Sequence, residues 1–384
     1  MKQGWGIKKL GDVCEELFAG GDVPKNNSSK IKSDDFNIPI FSNGEKNKGL
    51  YGYTNVVRVK KPSITISARG TIGYPAIRDE AFYPAIRLIV ATPNTEILDL
   101  FFLKYIIGSI DFIHSGSSIP QLTVPMIKEY PIPVPTLPEQ RLIVSILDEA
   151  FSAIATAKAN AEQNLKNAKE LFESYLQAVF ENNGNNWEEV KLSELAIDIT
   201  DGDHMPPPKT NEGVPFITIT NINKQSHRID FSDTFTVSQA YFQKLKRNRK
   251  PQMGDVLYTV TGSYGIPVLI EDDFEFCFQR HIGLIRPKGN ISSKWLYYWI
   301  LSPQAFMQAN DTATGTAQKT VSLTALRNFI VPKMPLKVQQ SIVQKLDALS
   351  EETKRLESIY QKKIVDLEEL KKSVLQKAFN GELS

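Results

Sequence analysis

Two cysteines, Cys14 and Cys277, are all that a chain of 384 residues contains. They cannot build a disulfide framework, and neither has a second cysteine at C-x-x-C spacing, so a reducing, cytoplasmic compartment is expected. Histidine is as sparse. His114, His204, His227 and His281 stand far apart, without the helix-face or hairpin spacing of metal ligands, so no metal site is expected. No apolar run approaches the ~18 to ~20 residues that span a bilayer, and the opening Met1-Lys2-Gln3-Gly4-Trp5 lacks the apolar core of a signal peptide. Neither membrane nor secretion is expected. Charge of one sign is absent too: 45 basic and 43 acidic residues leave +2, so bulk charge does not announce a nucleic-acid partner.

Enzyme motifs are also missing. Glu16-Leu17-Phe18-Ala19-Gly20-Gly21 lacks the second G-x-G of a methyltransferase loop, and Met205-Pro206-Pro207-Pro208-Lys209 is not the Asp/Asn-Pro-Pro-aromatic tetrapeptide that holds a flipped base. No P-loop occurs. Glu189-Val190-Lys191 offers the E-x-K of a nuclease, but no aspartate lies at a suitable strand end upstream.

What is present is an ordinary globular composition, 41% hydrophobic and 23% charged, and an internal repeat. At an offset of 199 residues, Pro133 falls on Pro332, Gln140 on Gln339, Ile143-Val144 on Ile342-Val343, Asp148 on Asp347, Leu171 on Leu370 and Phe180 on Phe379. Upstream the repeat weakens: Trp5 echoes Trp187, and Arg69-Gly70-Thr71-Ile72-Gly73 echoes Thr261-Gly262-Ser263-Tyr264-Gly265. The chain is therefore read as two tandem copies, each a variable globular part followed by a constant helical part.

The helical part carries apolar residues at steps of three and four, as one buried helix stripe requires. In the first copy the ladder includes Ile143, Leu147, Ile154, Leu165 and Phe172. In the second it includes Leu346, Leu349, Leu356, Tyr360 and Leu367. Two helices of about 40 residues, or about 60 Å, are predicted. Small residues on the first, Ala150, Ala157, Ala161 and Ala168, face large ones on the second, which suits an antiparallel coiled-coil pair related by a pseudo-two-fold. Two separate amphipathic helices, each on its own domain, would also fit. Proline-rich segments, Tyr130–Pro138 and Ile330–Pro335, precede both helices as stiff extended connectors, and Asn182-Asn183-Gly184-Asn185-Asn186 reads as a helix stop.

The boundaries are then 1–132 and 184–331 for the globular parts, and 133–183 and 332–384 for the helical ones. Strand-like runs such as Pro62–Ser67, Ala85–Val90, Val214–Thr220 and Val256–Val260, with short helices at Ile97–Ile107 and Ile291–Leu301, make each globular part α+β. Five of the seven residues Lys244–Lys250 are basic: Lys244, Lys246, Arg247, Arg249 and Lys250. With Tyr241 and Phe242 beside them they suit phosphate contact, though a solvated basic loop reads the same way. In the first copy the cations to weigh are Lys46, Lys48, Arg58 and Arg69. Arg69 either grips a guanine or braces the Gly70 turn.

Two variable α+β parts alternating with two long helices, the first opened by Leu137-Pro138-Glu139-Gln140-Arg141-Leu142-Ile143-Val144, closely resemble the specificity subunit of Type I restriction-modification systems. Ile199-Thr200-Asp201-Gly202-Asp203-His204-Met205-Pro206-Pro207, Ser67–Gly73, Gly315–Lys319 and the Leu375–Leu383 ending fit it too. The second copy departs, with Val338-Gln339 where the family has Glu-Gln. The resemblance extends over essentially the whole chain. It implies a non-catalytic reader of double-stranded DNA, with two target-recognition domains, each reading half of a split asymmetric sequence, and a helix pair acting as a ruler. It implies docking of two modification subunits that bind S-adenosylmethionine and methylate adenine, so this chain itself needs no cofactor, and a restriction subunit where the system has one. It adds Thr71, Asp201, His204, Ser263 and Tyr264 to the DNA-facing candidates. Rivals from other classes are a stand-alone DNA-modifying enzyme and a coiled-coil scaffold that binds proteins.

Overall fold

The computed structural model describes residues 4–112, 121–181, 187–205, 207–316 and 318–383. His114, the Asn182–Asn186 stop, Pro206 and Ala317 lie outside them. The described residues are α+β and form two compact units, Met1–Glu162 with Gln361–Ser384, and Gln163–Tyr360. The division falls inside the two long helices.

In the first unit an antiparallel sheet runs in the order Cys14–Ala19, Ile89–Pro93, Ser63–Ile66, Pro75–Arg78. The second unit repeats it as Ala196–Asp201, Ile282–Pro287, Val256–Thr259, Pro267–Leu269. Even the irregularity recurs: the register shifts between Cys14 and Glu16 and between Ala196 and Asp198. The repeat seen at a fixed offset in the helices is thus carried by topology where the sequences have drifted. One expectation fails here. Ala85–Val90 is not a single strand; the strand begins at Ile89, and Ile86 and Arg87 before it take left-handed φ of 55° and 62°.

The proline-rich segments pair as strands. Pro131–Val134 lies antiparallel to Gly6–Lys9, and Ile330–Lys333 to Glu188–Lys191. A two-stranded ribbon has free edges, which is where proline, lacking an N–H, is tolerated.

The long helices run Leu137–Glu181 and Leu336–Asn380, 45 residues each. Thr136 opens the first: Glu139 Oε2 accepts the Thr136 amide at 3.2 Å and its hydroxyl at 3.0 Å, half of a capping box. Gly381, at φ 80°, closes the second, its amide donating to the Ala378 carbonyl at 3.2 Å while the Glu382 amide reaches Lys377 at 2.9 Å, a Schellman ending. In the first unit the two helix segments are antiparallel, since Lys158 pairs with Glu368 at 2.5 Å and Lys371 lies 5.3 Å over the Phe151 ring.

Near their ends the stripes bury against the globular parts. Ile143 and Leu147 are sealed in the core of the first unit with Phe102, Leu103, Ile106 and Ala378. Leu346 joins Leu176, Phe180, Trp295 and Trp299 in the core of the second, where the Phe172 ring lies 6.2 Å from Tyr298. Each such side chain contributes about 1.5–3 kcal/mol by leaving water. Ile154, Ala161, Ala168 and Thr353 are buried, while Leu165, Leu349, Leu356, Tyr360 and Leu367 are half-buried.

Candidate nucleic-acid interface

Asp201 ends the edge strand Ala196–Asp201 of the second unit's sheet. Gly202 follows because the chain runs against Phe278: a Cβ here would sit 1.8 Å from the Phe278 carbonyl oxygen. The close approach puts Asp203 beside Gln279 in a parallel bridge. At this end of the sheet a cleft of about 400 Å³ opens, lined among others by Asp201, Thr261, Arg280, His281, Gln318 and Thr320. Arg280 is exposed. Burial, and then the charge of Arg280, push the His281 imidazole below its ordinary pKa. The lining offers donors and acceptors of the kinds that read base edges.

Three sequence candidates converge here. His204 Nε2 lies 2.9 Å from Asp201, and Arg249 reaches Asp201 at 3.3 Å and Asp203 at 3.7 Å. Tyr241 donates its hydroxyl to Asp203. The guanidinium of Arg249 is therefore held between carboxylates instead of facing solvent as an open charge. Lys250 is folded back, its ammonium donating to the Gln243 carbonyl at 3.0 Å and lying 4.9 Å over the Phe242 ring. Lys244, Lys246 and Arg247 are exposed. Ser263 is exposed as well, its carbonyl accepting from the Thr259 hydroxyl at 2.7 Å. Tyr264 instead packs inward, stacked on Phe306 with its hydroxyl donating to Asn310 at 2.6 Å.

In the first unit Arg69 is half-buried and donates to Gln121 Oε1 through Nε at 3.2 Å and Nη2 at 2.7 Å. The bond ties two loops together, as Thr261 and Thr320 do in the second unit by a backbone bridge and a 3.3 Å hydroxyl contact. Thr71 is exposed beside it. Lys46 and Lys48 are exposed on the turn Lys46–Gly49, pinned from beneath by buried Arg78, which donates to the Lys48 carbonyl and lies 3.5 Å over the Phe41 ring. Arg58 is exposed and covers the Phe18 ring at 5.1 Å. Sequence reasoning did not pick out Arg280, His281, Gln318, Asn43 or Arg87. Gln318 falls in the family-like Gly315–Lys319 segment, and nothing local marked the others as DNA-facing.

Among the described residues no group of three or more His, Cys, Asp and Glu could hold a metal ion, and no helix is long and apolar enough to cross a membrane.

The profile of the Type I restriction modification DNA specificity domain matches this chain twice, over residues 2–167 and 184–365. The chain belongs to that family. A type I specificity subunit of Mycoplasma pneumoniae, S.MpnORF89P, is 37% identical over 172 residues, 45% of this chain and 51% of its own length. A second from that organism, S.MpnORF507P, is 32% identical over 173 residues, 45% of this chain and 47% of its own. The chain thus aligns with about half the length of these relatives. The specificity subunit of the EcoKI enzyme of Escherichia coli K12 is 21% identical over 434 residues, covering all of this chain and 90% of that protein. The HsdS subunit from Thermoanaerobacter tengcongensis shares the fold, with a TM-score of 0.68 at 20% identity over all of this chain and 98% of its own. A chain from a structure of type I R-M complex assembly reaches 0.77, also at 20% identity, over all of this chain and 99% of its own.

Proposed function

We propose that the chain is the DNA-reading subunit of a Type I restriction-modification complex and performs no chemistry itself. The observation that carries this is the doubled unit: one sheet topology, one register shift and one family profile occur twice in tandem. Two similar but diverged readers suit a bipartite, asymmetric target. The globular parts, about 1–132 and 184–331, act as target-recognition domains, and the helical parts, 133–183 and 332–384, set the gap between half-sites. In the second domain the cleft beside Asp201 meets base edges, while Lys244, Lys246 and Arg247 hold the phosphates.

The long helices offer docking sites for two modification subunits. Leu171 and Leu370, equivalent in the repeat, are about half exposed, at 50% and 47%, and a large apolar side chain left open at both equivalent positions suits two copies of one partner. Those subunits carry S-adenosylmethionine and methylate adenine; this chain supplies the address. A restriction subunit with translocase and nuclease activity joins in systems that cleave. Sequencing of methylated adenines in cells that express the chain with a modification subunit tests the proposal. The expected outcome is one split motif, and methylation without a motif would refute it.

A further inference from the structure

Two consecutive non-glycine residues in the left-handed region are uncommon, and isoleucine there is a genuine outlier because its branched Cβ crowds the backbone. Ile86 and Arg87 are such a pair. The surroundings hold them there. The Ile86 amide donates to the Gly21 carbonyl at 2.8 Å, the Arg87 amide to Gly20 at 3.0 Å and the Leu88 amide to Ala85 at 3.1 Å. Asn43 closes the corner: its Nδ2 donates to the Ile86 carbonyl at 2.7 Å while its Oδ1 accepts the Ala68 amide, also at 2.7 Å. Asn43 thus welds the corner to the turn that carries Arg69 and Thr71. Gly20 permits this, because a Cβ there would meet the Pro84 carbonyl oxygen at 2.4 Å.

Both side chains point to water. Ile86 is 42% exposed, Arg87 is exposed, and among the described residues Arg87 has no ion pair or side-chain hydrogen bond. A fold that needed only a turn would place glycine or asparagine here. Strain that is fixed by its surroundings and that displays a free guanidinium beside an apolar side chain is the pattern of a recognition element. The second unit keeps two of these bonds without the left-handed pair, since neither Arg280 nor His281 has a positive φ. There the Arg280 amide donates to the Asp203 carbonyl at 3.0 Å and the Ile282 amide to Gln279 at 3.1 Å, the counterparts of the Ile86 and Leu88 bonds, and exposed Arg280 lines the cleft beside Asp201. An arginine therefore stands at the equivalent corner of each unit, displaced by one residue.

We propose that the Ile86–Arg87 corner is the specificity-determining element of the first unit, with Arg87 gripping one guanine through its O6 and N7 and Ile86 lying against a neighbouring base edge. The inference rests on the DNA-reading function proposed above. A rigid fork on a locked backbone suits bidentate recognition, and lysine, a compact charge on a flexible stem, matches that geometry less well.

The experiment is enrichment of a randomised duplex pool by the full chain, alone and with modification subunits, for wild type, Arg87→Ala, Arg87→Lys and Ile86→Gly. Arg87→Ala is expected to lose at least about tenfold of the preference at one base pair of one half-site, and to leave the other half-site as it was. Arg87→Lys should lose part of the same preference, since it keeps the charge without the planar fork. Ile86→Gly should relax the same half-site with a melting temperature equal to or above wild type, because glycine relieves the strain. Uniform weakening over all sequences that Arg87→Lys restores would mark a phosphate contact and overturn the inference. An Arg87→Ala variant with an unchanged motif would overturn it as well, while leaving DNA reading intact. A wild-type chain that enriches no motif would overturn the DNA-reading function and this inference together.

Discussion

Gln339, fully buried on the second long helix, accepts the backbone amide of Ser292 at 2.8 Å, so the helix is fastened to the residue that caps the short helix Ser293–Leu301. Its Nε2 donates to the Met334 carbonyl at 2.8 Å. The first unit repeats the device: Gln140 accepts the Asp99 amide at 2.7 Å and donates to Ile97 and Pro135. Asp148 and Asp347 form a second clasp, accepting the hydroxyls of Tyr105 and Tyr298. These matched polar residues dock each globular part on its helix.

Gln339→Leu should therefore destabilise the second unit by about 1–3 kcal/mol, because a buried amide and carbonyl lose their partners. Gln140→Leu should cost at least as much in the first. Thermal and urea denaturation measure both, and losses under about 0.5 kcal/mol would show that these bonds do not fasten the helices.

Ala161, 1% exposed, is closed off from solvent on the first long helix. Ala161→Leu should destabilise the first unit by about 1–3 kcal/mol through overpacking. A neutral or stabilising result in denaturation would mean that the site has space to fill.

Protonation should weaken the second unit. The pKa of His227 is lowered first by burial and further by Lys354, against the raising effect of the Pro267 carbonyl that lies 3.1 Å from Nδ1. His281 is lowered by burial and Arg280. With the folded pKa below the unfolded value near 6.5, the unfolded chain binds protons first, so stability falls as pH drops below that value and is flat above it. Denaturation at pH 7 and pH 5 should show the loss, and His227→Asn should reduce it. Asparagine tolerates the φ of 52° at this position. An equal pH dependence in the variant would contradict the assignment.

Replacing Lys244, Lys246 and Arg247 together by alanine should weaken binding to all sequences alike and lower the slope of log affinity against log salt by about three units, at about 0.9 per phosphate contact. The preferred bases should stay the same, since phosphates carry no sequence information. A changed motif in competition binding would make these residues base readers.

The helices were the legible part of the sequence. A stripe such as Ile143, Leu147 and Leu346 leaves a periodic trace, and Gln140 and Asp148 fall on Gln339 and Asp347 because one clasp must be built twice. The Glu139-to-Val338 departure is also physical: Val338 packs against the apolar core of the second unit, whereas Glu139 caps a helix. The site was less legible. Arg249 reads as a free cation in a basic run, and nothing local reveals Asp201 and Asp203 across from it. Ala85–Val90 reads as a strand because isoleucine favours β structure; long-range bonds from Gly20, Gly21 and Asn43 override that preference. Arg280 and Gln318 meet only through the fold.

In the proposed function, two readers take two half-sites at a distance set by the helices. Inserting one turn of four residues into both helices, after Ala161 and after Tyr360, lengthens each by about 6 Å, close to two base-pair rises of about 3.4 Å. Enrichment of a randomised duplex pool by wild type and by this variant measures the effect directly. The expected result is the same two half-sites with an unread gap longer by about two base pairs; an unchanged gap, or a single uninterrupted motif in the wild type, would contradict the proposed function.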